Sequence, residues 1–238
     1  MKLTKILFLI LMIGLISFTM GCGSKPSKDD SDVHEKMIDV YDGEYFTLSR
    51  TLSVTPIVDE DGDEIYEYTN LRSKFLCHGV DINLEINGEI EPIYAVMELI
   101  QNEDVVTKDA GNTFYVVFDD GKISKVTTDQ NLLSGVKSAK VLEEDILCLR
   151  ELKQGMEWTS SNGYYSHVDR FEYVVLDNFK RTAPSFKVST YKNEGDLTPI
   201  RVIWWTPELG WCVQVQDYEN LTLDVLSDYN FEWEDEDD

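Results

Sequence analysis

Residues 113–128 read TFYVVFDDGKISKVTT, and this stretch decides the fold class. Two short runs, YVVF and KISK, flank Asp120-Gly121, a dipeptide suited to the positive φ of a tight hairpin turn. The same grammar recurs along the chain. KFLCHGVDINLEI ends at Asn87-Gly88 and resumes as GEIEPIYAVMELI, and MEWTSSNGYYSHV turns at Asn162-Gly163. YFTLSRTLSVTPI, FEYVVLDNF, SFKVSTYK, PIRVIWWT and GWCVQVQDY each read as strands, rich in Val, Thr, Tyr, Phe and Trp. No long stretch sustains a 3.6-residue apolar period, although Ala95 to Asn102 and Asp129 to Lys137 could each make two helical turns. The expectation is all-β: antiparallel sheets in a sandwich or an open or half barrel, as one domain or two consecutive ones.

The chain has 238 residues, enough to bury a core without staples, and 42% of them are hydrophobic, which excludes a disordered polypeptide. Against 45 Asp and Glu stand 21 Lys and Arg, a net charge of -24. Such a surface repels phosphate backbones, so nucleic acid is not an expected partner. Acidity of this kind keeps a protein soluble and leaves cationic partners open.

The N-terminus reads as an address followed by a tether. Lys2 and Lys5 precede an apolar run, Ile6 to Met20, that is short for a spanning helix and suits a signal-peptide core. Gly21-Cys22 follows, then the polar stretch KPSKDDSD. These residues resemble the signal of bacterial lipoproteins, in which a small residue precedes a Cys that receives a diacylglyceryl group. The resemblance implies cleavage after Gly21 and lipidation of Cys22, although Thr19 stands where Leu is usual. It places the mature protein at the cell membrane, facing outside the cytoplasm, with two acyl chains as its anchor. Loss of residues 1–21 would remove two of the 21 cations and no acid, leaving -26.

The remaining segments are a polar spacer at 22–36, a β-rich region at 37–135, a second at 136–231 and an acidic tail at 232–238. The boundary falls where NLLSGVKSAK breaks the strand rhythm. The tail carries six acids in seven residues and reads as disordered.

Catalytic signatures do not emerge. Cys77, Cys148 and Cys212 lie beside apolar residues without CxxC spacing, the pattern of buried thiols. His34 lies near the spacer, and His78 adjoins Cys77, but neighbours on a strand point to opposite faces. His167 is expected to face solvent or to cap a hydrogen bond. No HExxH, GxSxG, phosphate-cradling loop or dinucleotide turn is present, and the SxxK spacings at Ser134 and Ser189 match chance. The expectation is a protein that is not an enzyme and needs no cofactor or metal.

From Ile146 to Gln216 the chain resembles small β-rich envelope lipoproteins of unknown function. The resemblance rests on Leu152, Gly155 and Trp158, on Thr182-Ala183-Pro184-Ser185-Phe186, and on Trp204 to Trp211. It implies an antiparallel β fold and supplies no catalytic residue.

Two local features invite a site. Asp59 to Glu64 (DEDGDE) offers oxygen ligands, yet its Gly62 stands at the wrong place for a calcium loop, so a plain turn is expected. Trp204 and Trp205 alternate on a strand, so an outward Trp with Tyr164, Tyr165 and Tyr191 could form a sugar or peptide platform, although packing into the second layer is favoured. The functional expectation is a lipid-anchored envelope module that binds a protein or small molecule. The alternative is a carrier holding a hydrophobic ligand in a curved sheet.

Overall fold

The computed structural model describes residues 34–37, 39–53, 55–58, 64–67, 71–102, 104–105 and 112–230. The signal segment with Gly21 and Cys22, the spacer to residue 33, Asp59 to Asp63, and the tail 232–238 lie outside the described residues.

Every regular element among the described residues is a strand or a single 3-10 turn, so the fold is all-β. Two long strands organise it, β5 (Arg72–Ile86) and β6 (Glu89–Gln101). Between them Asn87 and Gly88 take φ of 53° and 87°, the left-handed pair that a two-residue hairpin requires. β6 then pairs β8 (Thr113–Phe118), β8 pairs β9 (Ile123–Thr128), and β9 pairs β10 (Ser138–Cys148), all antiparallel.

An up-and-down run of five strands leaves the last pointing along the first, so the ring can close only through a parallel pair. That pair is present: Ser138, Ala139 and Lys140 of β10 lie parallel to Asn83, Leu84 and Glu85 of β5. The result is a small closed barrel. Its interior is packed with Ile82, Leu84, Ile86, Ile93, Val96, Phe114, Val116, Phe118 and Val126, with Leu132 from the 3-10 turn after β9.

The rest of the main sheet is an antiparallel meander. It runs β12 (Glu157–Thr159), β13 (Tyr165–Leu176), β14 (Arg181–Tyr191), β15 (Arg201–Thr206), β16 (Trp211–Asp217) and β17 (Thr222–Tyr229), then β2 (Tyr45–Ser53). β2 joins the halves by pairing β17 on one side and the start of β5 on the other. One sheet of 13 strands thus serves both halves, and it runs on across residues 135 and 136. β7 (Asp104–Val105) ends it beside β6, and β3 (Thr55–Val58) with β4 (Glu64–Glu67) makes a separate hairpin.

A second core lies between barrel and meander. Phe75, Cys77, Ala95, Met97, Val117 and Ile123 alternate with the barrel's interior residues and so point out of it. They share one cluster with Val168, Phe186, Val188, Ile203, Trp205 and Trp211. β6 and β8 are therefore apolar on both faces, whereas β5 changes its apolar face along its length, from Phe75 and Cys77 to Ile82, Leu84 and Ile86.

The chain enters this core through a strap. β1 (His34–Lys36) pairs β11 (Glu151–Lys153), and Met37 and Val40 are buried. Met37 N–H donates to the Arg150 carbonyl at 2.8 Å, and Gly43 N–H donates to that of Cys77 at 2.9 Å.

Two sequence expectations need correction. Ala95 to Gln101 is not helical but the second half of β6, because β5 pairs it along one side while β8 and then β7 pair it on the other. Asp129 to Lys137 holds only the 3-10 turn Leu132–Ser134, capped by the Asn131 side chain and stopped at Gly135.

Candidate functional site

Polar side chains from barrel and meander together line one cleft. β15 begins with Arg201, a charged residue opening an otherwise apolar strand. Its Nη1 and Nη2 donate to the Asp145 carboxylate at 2.9 and 3.2 Å, a two-pronged pair from meander to barrel. Nη2 also lies 3.5 Å from the Thr190 hydroxyl, while Arg201 Nε is buried without a partner. Asp145 is itself buried.

Above this floor is a cleft of about 280 Å³. Its barrel wall carries Thr113, Lys125, Thr127 and Glu143, and its meander wall carries Asn162, Tyr164, Asp217 and Glu219. The register explains the first set: Thr113 pairs Thr127, Thr127 pairs Glu143, and Lys125 pairs Asp145, so all share one face. The two threonine hydroxyls are 3.2 Å apart. Asp217 accepts the Glu219 and Asn220 amides at 2.9 Å each, and Glu219 takes Lys192 at 2.5 Å. The lining holds donors, acceptors and both signs of charge; of its acids, Asp145 is engaged by Arg201, Asp217 by backbone amides and Glu219 by Lys192. Among the described residues no Ser, Cys or His lines it.

A second cleft, about 340 Å³, lies under the strap between Asp39, Asp42, Tyr94, Asp119 and Arg150. Arg150 Nη2 reaches Asp39 at 3.0 Å, and Asp42 accepts the Gly79 amide at 2.8 Å. Burial lifts the Tyr94 phenol to about 12, and its oxygen accepts the Val40 amide at 3.4 Å. These contacts fasten the strap.

His167, Asp169 and Ser189 converge elsewhere, and their wiring decides what they can do. The Ser189 hydroxyl donates to Asp169 Oδ2 at 2.7 Å, and His167 Nδ1 lies 3.1 Å from Oδ1. Lys187 Nζ is 3.5 Å from the same carboxylate. In a hydrolytic triad the imidazole stands between hydroxyl and carboxylate and takes the hydroxyl proton. Here the carboxylate stands in the middle, Ser189 is buried, and neither cleft contains the group. The arrangement ties β13 to β14 and does not activate Ser189.

The other sequence candidates fall in separate places. Cys77 is buried, whereas His78 points the other way and meets Glu98 at 2.8 Å, as strand alternation requires. Cys77, Cys148 and Cys212 are free and buried. Trp205 packs edge-on against Trp211, with ring centres 5.7 Å apart. Trp204 is only 8% exposed and gives its indole N–H to Glu172 at 2.6 Å, so neither Trp forms an outward platform. Tyr165 and Tyr191 pair across strands with ring centres 6.2 Å apart, and Tyr164 lines the cleft. Among the described residues no three His, Cys, Asp or Glu side chains gather as a metal site. Sequence reading missed the Arg201–Asp145 floor. Its one local signal is a cation opening the apolar run RVIWWT.

No protein-family model matches the chain, and no curated protein matches it. Among solved structures it is similar to a protein designated as exported, with a YmcC-like fold, from Bacteroides fragilis. That match has 10% identity and a TM-score of 0.37, and covers 83% of this chain and 100% of the other. A likeness this distant carries no argument about function.

Proposed function

We propose that this chain is a non-enzymatic binding module of the cell envelope, anchored through a diacylglyceryl group on Cys22, which takes a small polar ligand in the cleft between barrel and meander. One observation carries the binding reading: the cleft takes its lining from both barrel and meander, and its polar side chains gather over the paired Arg201 and Asp145, with no Ser, Cys or His among the described residues that line it. Its volume sits near the lower end of the roughly 300–1,000 Å³ typical of small-molecule sites. A hydrophobic cargo gains no support, because the barrel interior is filled by its own side chains. The anchoring rests on the sequence around Gly21-Cys22 and on the polar stretch between it and the strap.

Detergent phase partitioning of the full chain beside Cys22→Ala, with intact mass of the processed N-terminus, tests the anchor. The wild type should enter the detergent phase carrying a diacylated Cys22, and the variant should stay aqueous. An aqueous, unmodified wild type overturns it. For the cleft, thermal shifts against a panel of monosaccharides and amino acids should single out a solute that stabilises the wild type but not Lys125→Met. A panel without such a solute overturns the ligand class.

A further inference from the structure

A row of alternating charges runs from the meander wall of the cleft to its barrel wall. Asp217 of β16 lies directly opposite Arg201 of β15, so their side chains share one face of the sheet. Arg201 holds Asp145 of β10 at 2.9 and 3.2 Å, and Asp145 in turn lies opposite Lys125 of β9. Glu143, two residues before Asp145 on β10 and opposite Thr127, faces the same way as Lys125.

These charges are not all spent on one another. Arg201 is taken by Asp145, and Lys192 takes Glu219. Among the described residues, neither Lys125 nor Glu143 forms an ion pair, and the Lys125 ammonium stands 6.0 Å from the centre of the Tyr115 ring. Asp217 accepts from neutral groups alone, the Glu219 and Asn220 amides at 2.9 Å each and Asn220 Nδ2 at 2.8 Å. One cation and two acids of the lining are thus left without a counter-charge. A neutral ligand that displaced water from them would leave all three uncompensated, which is costly. A sugar ring is also offered little surface to stack on, because Tyr164 is the one aromatic among the described lining residues.

Given that this cleft is the binding site, on which the assignment rests, we propose that its ligand is a basic α-amino acid. The ligand carboxylate meets Lys125, its α-ammonium meets Glu143, and its side-chain cation crosses to Asp217 on the meander wall. Three ligand charges then answer the three uncompensated charges of the lining, and the Arg201–Asp145 pair stays intact beneath them. The hydroxyls of Thr113 and Thr127, 3.2 Å apart on the barrel wall, supply neutral hydrogen bonds beside the α-carbon groups. A volume of about 280 Å³ suits a single amino acid better than a peptide. Opposite charges on facing walls also set an order of preference: basic amino acids first, then neutral ones, then acidic ones, whose second carboxylate would face Asp217.

Titration calorimetry of the full chain at low ionic strength, with lysine, alanine, glutamate, cadaverine and glucose, tests this. Lysine should bind at least about tenfold more tightly than alanine, and alanine more tightly than glutamate. Cadaverine keeps both cations but lacks the carboxylate, and it too should fall at least about tenfold below lysine. Asp217→Asn keeps an oxygen for the 217–220 turn and removes the charge, so it should lower lysine to the level of alanine and leave alanine unchanged. Lys125→Met, at an exposed position, should weaken both. Binding of glucose in preference to the amino acids, or equal binding of lysine, alanine and glutamate, overturns the assignment and leaves the cleft standing as a polar site. Lysine binding that neither variant alters overturns it as well, because the ligand then lies elsewhere. If none of the five solutes binds, the assignment and the reading of the cleft as a binding site fall together.

Discussion

Arg201 and Asp145, 56 positions apart in sequence, meet face to face across the junction of barrel and meander, with Nη1 2.9 Å from Oδ2 and Nη2 3.2 Å from Oδ1. Their side chains are only 18% and 10% exposed. A charge taken so far out of water depends on its partner. Either single change, Arg201→Met or Asp145→Leu, should therefore destabilise the fold by about 3 kcal/mol, because the surviving charge is left buried alone. The double variant should recover most of that loss. Urea unfolding of the four proteins checks it, and additive losses would show that the two charges act independently.

Trp211 sits where three aromatic contacts meet: Phe46 at 5.5 Å, Phe75 at 5.3 Å and Trp205 at 5.7 Å between ring centres. Phe75 belongs to β5 and Trp211 to the meander, so this cluster fastens the two halves of the protein together. Trp211→Ala should cost about 3–5 kcal/mol through lost burial and the cavity left behind. Trp211→Phe should cost much less. The indole N–H is buried without a partner, so removing it relieves part of the penalty for the lost volume. A Phe variant as damaged as the Ala variant would refute this account of the site.

How much of this was legible in the sequence depends on the range of the interaction. Asn87-Gly88 and Asp120-Gly121 announce their hairpins because a positive φ is a local demand that few residues meet. The strands of the meander were legible for the same reason, each being bounded by turn residues. Closure of the barrel was not. It rests on three parallel pairs between Asn83–Glu85 and Ser138–Lys140, and the start of β10 reads as a break in rhythm because its burial alternates irregularly. Ala95 to Gln101 shows the converse, good helix formers held as a strand by neighbours on both sides. The Arg201–Asp145 floor was invisible because no local pattern names the partner of a lone buried cation.

The three buried cysteines give the protein an alkaline weakness. Burial, with Asp42 and Glu44 nearby, pushes the Cys77 thiol up to about 12 from 9.0. Burial likewise raises Cys212 to about 12 and Cys148 well above its usual value. Between pH 9 and about 12 the unfolded chain loses these protons and the folded one keeps them. Stability from this source is complete below pH 9 and drains away as pH rises through the folded values. Lys122 acts in the same direction: burial pulls its ammonium down, but Glu91 and Glu144 outweigh that and hold it above 10.5. Unfolding free energy should be flat near neutrality and fall steeply above pH 9, and the triple Cys→Ala variant should show a shallower fall. Native thiols should also resist a thiol reagent at pH 7 until denaturant is added. Rapid labelling of the folded protein would contradict their burial.

Gly121 and Gly88 both sit in hairpin turns with positive φ, 82° and 87°, yet they should respond differently to Ala. At Gly88 an added methyl would meet no atom within 4 Å, leaving only the backbone penalty of about 1 kcal/mol. At Gly121 it would lie 2.4 Å from Cδ, 2.5 Å from Cγ and 2.7 Å from Cβ of Arg150. The Cβ cannot swing away as a side-chain tip can, so Arg150 must shift and give up Asp39 at 3.0 Å. The Arg150 carbonyl also receives the Met37 amide, so the disturbance reaches the strap. Gly121→Ala should cost about 3 kcal/mol, and adding Arg150→Ala should return part of that by removing the clash. Gly88→Ala combined with Arg150→Ala should be additive, since the two sites share no contact. Equal losses for Gly121→Ala and Gly88→Ala in urea unfolding would mean that the turn, and not the packing of Arg150 against it, sets the requirement for glycine.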